Sequence, residues 1–140
     1  MFSIRQAVQS DTDKVCALDP SAQRPSQRRS FIERTVNSNT CFIAIAAEQV
    51  VGYGVFEYSF YEFGFVPMLY VQPEFRQRGA GKRLMEYFQS ICETPKIFTS
   101  TNLSNLPMQS LLAKLGYTLS GVIHHLEEND PEVVYFKSLI

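Results

Sequence analysis

At 140 residues, the chain is long enough for one domain with its own core and too short for two ordinary domains. Hydrophobic residues make up 45% and charged residues 19% of the sequence, a globular composition that excludes a disordered chain. The 13 basic and 14 acidic residues give a net charge of -1, so no general field attracts nucleic acid or an anionic membrane. We therefore expect a single domain over residues 1–140 and only local charged sites.

The cysteines and the hydropathy pattern exclude two further classes. Cys16, Cys41 and Cys92 are odd in number, far apart and without a C-x-x-C pair, so we expect reduced core thiols and no metal site. No apolar stretch approaches the roughly 18 residues of a membrane span. The sequence therefore predicts a cytoplasmic protein without membrane association.

The first half of the chain predicts helices followed by an antiparallel meander. In chain order we expect a strand at 2–8, a helix from Ser10 to Pro20, a helix at Ser26–Asn37, and strands at Cys41–Ala47, Val50–Tyr61 and Phe63–Val71. Ser10 with Asp13 three positions later is a variant of the capping box. Gly52 and Gly54 favour a bulge or a close backbone approach, and Pro67 removes one ladder donor from its strand.

The second half returns to helical spacing after Pro73. We expect a helix from Gly81 to Pro95, a strand at Ile97–Thr101, a helix capped by Ser104 and stopped at Gly116, and strands at Val122–Leu126 and Val133–Leu139. This order mixes strands and helices without a repeat or a linker. It predicts a mixed, three-layer α/β domain.

The segment from Val71 to Arg83 lies between the predicted strand Phe63–Val71 and the next helix, and it has the composition of an anion site. Its glycines allow backbone amides to approach an anion closely. The first four N–H groups of a helix lack internal partners, and the helix dipole adds positive charge at the same end. Basic side chains are concentrated in the same stretch, at Arg76, Arg78, Lys82 and Arg83. The segment therefore predicts a phosphate cradle; the alternative is an ordinary solvated helix start.

The spacing excludes the two common nucleotide motifs. A P-loop ending at Gly81-Lys82 needs glycine at position 76 and serine or threonine at position 83, and both positions are arginine. A dinucleotide fingerprint that starts at Gly79 needs a small residue at position 84, which is Leu84.

Two motifs resemble those of the GNAT acetyltransferase superfamily. Arg76, Gly79 and Gly81 match the signature [Q/R]-x-x-G-x-[G/A], and the preceding strand 69–74 is similar to the one that leads into that loop. The stretch from Asn105 to Tyr117, ending in K-L-G-Y, resembles a second family element. The order of predicted elements is similar as well, so the resemblance covers nearly the whole chain.

The resemblance implies a fold, a co-substrate and a set of binding residues. The fold is a mostly antiparallel, splayed sheet flanked by helices, and the co-substrate is acetyl-CoA, used without a metal. Backbone groups of the strand contact pantetheine, the loop holds the pyrophosphate, and an asparagine of the later helix touches the coenzyme. The implied coenzyme-binding residues are Leu69, Tyr70, Val71, Arg76, Gln77, Arg78, Gly79, Ala80, Gly81, Lys82, Arg83 and Asn105.

The implied reaction is direct attack of a neutral amine on the thioester, with the oxyanion held by a backbone amide near Leu69. Forming the neutral amine from a lysine-like ammonium at pH 7 costs roughly 4.6 kcal/mol. Two family positions for the base correspond to Ser100 and the neighbourhood of Phe65, and the position of the acidic tyrosine corresponds to Leu112. None of these side chains can transfer a proton, so we expect water to carry the protons.

Other side chains remain open between a catalytic and a structural role. Tyr117, Tyr70, Tyr53 and Tyr58 could reach the acceptor or could be core aromatics. Glu57 and Glu62 could act as bases or lie on a solvated face. His124 and His125 alternate across the predicted strand, so at most one faces a site. The acidic stretch Glu127–Glu132 is a polar loop or attracts a cationic acceptor.

Three functions follow from this sequence. The leading hypothesis is an acetyl-CoA-dependent N-acetyltransferase for the amine of a small molecule or a peptide. The alternative is a non-catalytic acyl-CoA-binding or regulatory domain. A third interpretation is a module that binds protein or nucleic acid through arginines at Arg24, Arg28, Arg29 and Arg34. The acceptor and the oligomeric state, including a homodimer, are not encoded in the motifs.

Overall fold

A computed structural model describes residues 1–23 and 27–140 of the chain. The strands are β1 Ser3–Gln6, β2 Cys41–Ala46, β3 Gln49–Phe60, β4 Phe63–Val71, β5 Lys96–Asn102, β6 Thr118–Ile123 and β7 Glu132–Ser138. The helices are α1 Thr12–Leu18, α2 Gln27–Asn37, α3 Ala80–Ile91 and α4 Leu106–Lys114. The mixed class and the predicted order of strands and helices are confirmed. The predicted start of the second helix, Ser26, lies outside the described residues.

The seven strands are hydrogen-bonded in the order β1-β2-β3-β4-β5-β7-β6. The pairs β1–β2, β2–β3, β5–β7 and β6–β7 are antiparallel. Strands β4 and β5 are parallel, with Gly64 opposite Ile97 and Val66 opposite Thr99. The sheet is therefore mostly antiparallel, as the resemblance implies.

The contacts within the described chain divide it into two compact units. Unit 1 comprises Met1–Phe56 and Met68–Phe88, and unit 2 comprises Glu57–Pro67 and Gln89–Ile140. Strands β3 and β4 and helix α3 contribute residues to both units. A single domain over residues 1–140 stays a prediction.

Unit 1 contains a buried polar network in its core. Asp19 is 1% exposed, and its carboxylate accepts from the Tyr53 hydroxyl at 2.6 Å and from the Arg28 guanidinium at 2.7 Å. A buried carboxylate is stable only when partners compensate for its lost hydration. Burial also raises the pKa of Tyr53. The apolar residues of this core are Ala7, Val15, Cys16, Ala22, Ile32, Val36, Cys41 and Ile43.

The cysteines follow the prediction in two positions of three. Cys16 and Cys41 are buried free thiols, and burial raises the pKa of the Cys41 thiol to about 12. Cys92 is only half-buried, and its sulfur lies 3.2 Å from the Thr94 hydroxyl. Cys92 directly follows the last residue of α3 and is not a core residue. The prediction placed it in the core because the apolar spacing of the helix continues to this position.

Two predicted helix caps are wrong. Helix α1 begins at Thr12, and the preceding Asp11 accepts from the Val8 amide at 2.7 Å and from Arg5 at 2.8 Å. The carboxylate of Asp11 therefore fixes the turn before α1, and Ser10 does not cap the helix. Helix α4 is capped by Asn105, whereas the predicted cap, Ser104, donates its hydroxyl to Asp130 at 2.7 Å.

The last hairpin also differs from the prediction. Strand β6 begins at Thr118, four residues before the predicted Val122, and ends at Ile123. Its pairing with β7 shifts between Leu119 and Gly121. This bulge interrupts the regular alternation of apolar residues, which concealed the start of the strand. His124 and His125 therefore follow β6 and do not alternate across it.

Two hairpins are closed by residues that rarely adopt positive φ. Ala47 and Glu48 have φ of 49° and 66° between β2 and β3, and Tyr61 and Glu62 have φ of 52° and 69° between β3 and β4. Two consecutive residues in this region form the turns that match the twist of paired strands. The short gaps between the apolar runs predict both hairpins, although neither contains glycine or asparagine.

Gly52 and Gly54 mark a close approach, as predicted. A Cβ atom on Gly52 would lie 2.9 Å from the Tyr70 carbonyl oxygen. A Cβ atom on Gly54 would lie 2.9 Å from the ring of Phe88 and 3.2 Å from the Leu69 side chain. These two glycines therefore allow β3 to pack directly against the end of β4 and against α3.

We predict that Gly52→Ala lowers the free energy of unfolding by about 1–3 kcal/mol, because the added methyl group meets backbone that can move only with the strand. Urea denaturation followed by circular dichroism measures this loss. The matched control is Gly121→Ala, since a Cβ atom there meets nothing within 4 Å. The control should stay within about 0.5 kcal/mol of the parent, and equal losses in both variants would contradict the close approach.

Candidate active site

The end of β4 is anchored before the chain enters the basic loop. The Gln72 amide donates to the Val51 carbonyl at 2.8 Å, which holds the strand end against β3. A short 3-10 turn, Pro73–Phe75, follows, with the Arg76 amide donating to the Pro73 carbonyl. Proline is suited to the first position of such a turn, because its fixed φ matches the turn and no N–H is needed there.

The loop then reverses direction through two residues with positive φ. Gln77 has φ of 62° and Gly79 has φ of 99°, a region that favours glycine. The Arg83 amide donates to the Gly79 carbonyl at 2.9 Å, and α3 begins at Ala80. The amides of Ala80, Gly81 and Lys82 precede this bond, so they are the unpaired N–H groups of the helix start.

The four basic side chains of the loop do not act alike. Arg76 turns back: its Nε donates to the Val71 carbonyl at 2.8 Å, and its guanidinium lies 5.3 Å from the centre of the Tyr70 ring. The Arg78 guanidinium lies 5.8 Å from the Phe75 ring, while Lys82 and Arg83 are exposed on the first turn of α3. Arg76 therefore stabilises the strand end, and the charges of Arg78, Lys82 and Arg83 are exposed around the start of α3.

The predicted pantetheine segment, Leu69 to Val71, lies in unit 1 with the loop. The Leu69 side chain lies under α3, beside Gly54, and the Tyr70 ring packs 6.3 Å from that of Tyr53. The side chains of this segment are half-buried and make these packing contacts; their contact with pantetheine stays a prediction.

In unit 2, β4 and β5 pair over three residues of each strand, and Pro67 follows. Pro67 cannot donate to a ladder. The Thr99 hydroxyl donates to the Val66 carbonyl at 2.8 Å, which secures the last paired position. Phe65 and Ser100 are half-buried on these strands, and Leu112 of α4 is fully buried.

Asn105 has a structural role at the start of α4. Its side-chain oxygen accepts from the Met108 amide at 3.2 Å, which pairs one of the free N–H groups of the helix. The Asn105 side-chain oxygen is therefore already hydrogen-bonded within the protein. The contact of Asn105 with the coenzyme stays a prediction. Gly116, with φ of 88°, follows the end of α4 as the sequence predicts.

The tyrosine candidates are tied to partners within their own units. The Gln89 amide donates to the Tyr117 hydroxyl at 3.0 Å, and the Lys137 ammonium lies 5.9 Å from the Tyr117 ring. Burial raises the pKa of Tyr117 to about 12. The Tyr58 hydroxyl accepts from the Glu93 amide at 3.1 Å. The Arg76 guanidinium lies 5.3 Å from the centre of the Tyr70 ring.

The carboxylate and histidine candidates for the base differ in their exposure to solvent. The Glu57 carboxylate accepts from the Ser59 hydroxyl at 2.8 Å and is half-buried on β3. Glu62 is exposed in the turn between β3 and β4. His124 and His125 are exposed after β6.

The arginines of the third interpretation are engaged where the structure describes them. Arg28 pairs with Asp19, Arg29 pairs with Asp13 at 3.0 Å, and the Arg34 guanidinium lies 5.3 Å from the Phe31 ring. Arg24 lies outside the described residues. These pairs leave no continuous basic surface among the described members of the set.

Sequence reasoning missed a row of phenylalanines on one face of the sheet in unit 2. Phe65 pairs with Phe98, and Phe98 pairs with Phe136. Each phenylalanine was visible as a strand residue, but only the register shows that the three are neighbours. The sequence alone carries no signal for this row, because the three residues become neighbours only through the register of two strand pairings.

Solved structures share this fold over nearly the whole chain. An acetyltransferase of the GNAT family from Bacillus cereus ATCC 10987 is 29% identical with a TM-score of 0.90, over 99% of this chain and 97% of its own. Ard1 from Thermoplasma volcanium is 16% identical with a TM-score of 0.85, over 99% and 98%. An acetyltransferase from Bacillus anthracis str. Ames, solved in complex with acetyl coenzyme A, is 15% identical with a TM-score of 0.78, over 99% of both chains.

The fold is thus that of the GNAT acetyltransferases. A family model described as the acetyltransferase (GNAT) family matches residues 5–117, and the chain belongs to this family. No sequence among the curated proteins matches the chain. Within residues 1–23 and 27–140, no three histidine, cysteine, aspartate or glutamate side chains are grouped as metal ligands. No helix in the described part of the chain is long and apolar enough to cross a membrane.

We predict that Asn105→Ala lowers the free energy of unfolding by about 1 kcal/mol, because the Met108 amide loses its acceptor. Asn105→Asp keeps an oxygen at the cap and should stay within about 0.5 kcal/mol of the parent. Urea denaturation of both variants measures the cap. Unchanged stability of the alanine variant would show that the cap contributes nothing.

Proposed function

We propose that the chain is an N-acetyltransferase that transfers the acetyl group of acetyl-CoA to a primary amine of a small molecule or a peptide. The observation that carries the proposal is the start of α3, where three amides follow a positive-φ glycine in a chain of the GNAT family. Family membership supports acetyl transfer; the amine acceptor and the coenzyme contacts are our inference. A cytoplasmic location stays a prediction.

In this proposal, the amides of Gln77 to Lys82 hold the pyrophosphate, and Arg78, Lys82 and Arg83 add charge around it. The geometry supports this role because helix starts bind phosphate through free N–H groups and the helix dipole. The backbone of Leu69, Tyr70 and Val71 pairs with pantetheine. Arg76 acts indirectly, by fixing the Val71 carbonyl.

The proposed chemistry is direct transfer. The nitrogen lone pair of the neutral amine attacks the thioester carbon, the C–N bond forms, and the carbonyl oxygen becomes an oxyanion that the Leu69 amide stabilises. The C–S bond then breaks, and coenzyme A leaves as thiolate. The proton lost by nitrogen passes to water and the thiolate gains one from solvent, because Ser100 and Leu112 cannot exchange protons at these positions.

A second candidate is a domain that binds acyl-CoA without turnover. The specific observation in its favour is Leu112, which is 0% exposed at the position that the resemblance assigns to a proton donor. A buried leucine neither moves a proton nor admits water to do so. The two candidates share the coenzyme site and differ only in catalysis.

We predict that purified protein releases free thiol from acetyl-CoA when primary amines are added. Calorimetry with coenzyme A measures the site independently of turnover. Binding without thiol release from any amine would select the non-catalytic candidate. Absence of both binding and release would overturn the proposal altogether.

The charge-reversed variant Arg78→Glu/Lys82→Glu should weaken coenzyme A binding by at least about tenfold at low salt, because the charge around the anion changes sign. The control Lys14→Glu makes the same kind of reversal at an exposed position of α1. The control should stay within about twofold of the parent.

We predict that Tyr117→Phe keeps kcat within about twofold and leaves the pH profile unchanged, while the lost hydroxyl costs about 1 kcal/mol of stability. With a pKa of about 12, the Tyr117 phenol stays protonated while the rate rises with the neutral fraction of the amine. Steady-state kinetics between pH 6 and pH 9 test this expectation. A loss of kcat beyond about tenfold would instead make Tyr117 a proton donor.

A further inference from the structure

The two edges of β4 receive different backbone groups where the strand enters the basic loop. The Gln72 amide, directly after the strand, points toward β3, because it donates to the Val51 carbonyl at 2.8 Å. The Tyr70 carbonyl points the same way, since a Cβ atom on Gly52 of β3 would lie 2.9 Å from its oxygen. Successive residues of a strand turn their N–H and C=O groups to opposite edges. Val71 therefore turns both of its backbone groups to the edge away from β3.

This edge of β4 is open beside the predicted coenzyme segment. Leu69 lies two residues before Val71, so its N–H and C=O turn to the same edge. In the described part of the chain, the ladder between β4 and β5 ends at Val66, and Pro67 has no N–H to extend it. The edge therefore carries four backbone groups that can pair with a ligand: the N–H and C=O of Leu69 and the N–H and C=O of Val71.

The Arg76 side chain binds the last of these four groups. Its Nε donates to the Val71 carbonyl at 2.8 Å, and its guanidinium lies 5.3 Å from the centre of the Tyr70 ring. A hydrogen bond and a cation–π contact together hold this exposed side chain against the strand. Three groups remain for a ligand, the N–H and C=O of Leu69 and the N–H of Val71. A side chain, and not the backbone, thus defines where the pairing edge ends.

A defined end matters because an open strand edge repeats the same pattern of donors and acceptors. The repeat is two residues, about 7 Å, and an extended chain that pairs with such an edge can slip by one repeat. A chain that slipped toward the loop would need the Val71 carbonyl as an acceptor, and this carbonyl is already bonded to Arg76. The bond from Arg76 therefore disfavours the slipped register.

We propose that Arg76 is a positioning residue: by capping the Val71 carbonyl, it fixes the register in which the pantetheine arm of the co-substrate pairs with the edge of Leu69 and Val71. The inference rests on the proposed coenzyme site and adds the residue that determines where the arm stops. Arg76 acts through its N–H donor on the strand, and not through its charge on the pyrophosphate. Loss of the donor therefore weakens the hold on the arm and leaves the hold on the phosphates to the loop.

This role accounts for the choice of residue at the first position of the signature, which is glutamine or arginine. Both side chains place an N–H donor one bond beyond Cδ, Nε in arginine and Nε2 in glutamine. Their charges differ, so a role that depended on charge would not be common to both. The atom that arginine and glutamine share is the one that Arg76 uses to bind the Val71 carbonyl.

The test compares Arg76→Gln, which keeps the donor, with Arg76→Met, which has similar length and no donor. Calorimetry measures Kd for coenzyme A and for 3′-phosphoadenosine 5′-diphosphate, which has the same phosphates and lacks the arm. The ratio of the second Kd to the first reports the contribution of the arm. We expect Arg76→Met to lower this ratio by at least about fivefold and Arg76→Gln to keep it within about twofold of the parent. Both variants lose the same charge, which affects the two ligands alike.

The matched controls are Arg78→Gln and Arg78→Met, because the Arg78 guanidinium lies 5.8 Å from the Phe75 ring and is exposed beside the same loop. Both controls should weaken the two ligands alike and give equal ratios. Circular dichroism confirms that each variant is folded. Equal ratios for Arg76→Gln and Arg76→Met overturn the positioning role and leave the coenzyme site intact. A parent protein that binds neither ligand overturns the proposed coenzyme site, and the positioning role with it.

Discussion

The backbone path from Gln77 to Ala80 is the constraint on which the proposed coenzyme site depends. The chain must leave a 3-10 turn, reverse through two positive-φ residues and enter α3 with its first amides unpaired. Such a path is stable only if the helix is held in place, and Ala80, Leu84 and Phe88 are buried along one side of α3. Burial of this side fixes the helix axis, and the axis fixes where the amides and the dipole point. The anion binding that we propose here therefore depends on packing as much as on basic side chains.

The strand that leads into the loop is fixed by equally specific contacts. Gly52 allows β3 to approach the Tyr70 carbonyl, the Gln72 amide donates to Val51, and Arg76 donates to the Val71 carbonyl. The hydrogen bond from Arg76 to the Val71 carbonyl gives the arginine of the family signature a structural role. In this chain the first signature position does not reach outward; it closes the turn by binding the strand from which the turn starts. A strand end that is already rigid loses little further entropy when a ligand binds to it.

The sequence predicted what is local and missed what depends on register. The order of elements, the hairpins, the close approach at Gly52 and the stop at Gly116 follow from spacing and residue type within a few positions. The cap at Ser104 was wrong because its hydroxyl donates to Asp130, which leaves the cap of α4 to Asn105. The cap at Ser10 was wrong because Asp11, which binds Arg5 and the Val8 amide, directly precedes α1. The start of β6 was missed because a bulge interrupts its alternation. The phenylalanine row could not be predicted at all, since Phe65, Phe98 and Phe136 become neighbours only through two strand pairings.

The net charge of -1 is the sum of two local concentrations of opposite charge. Basic groups are concentrated at the start of α3 in unit 1, and acidic groups are concentrated after β6 in unit 2. The transfer that we propose between acetyl-CoA and an amine brings together a polyanion and a cation, so a single sign of net charge would repel one of the two. Within a Debye length of about 8 Å at physiological salt, each ligand responds to its local surface and not to the net charge. For the proposed reaction, local separation of charge allows both ligands to be attracted, which a uniformly basic or acidic chain could not do.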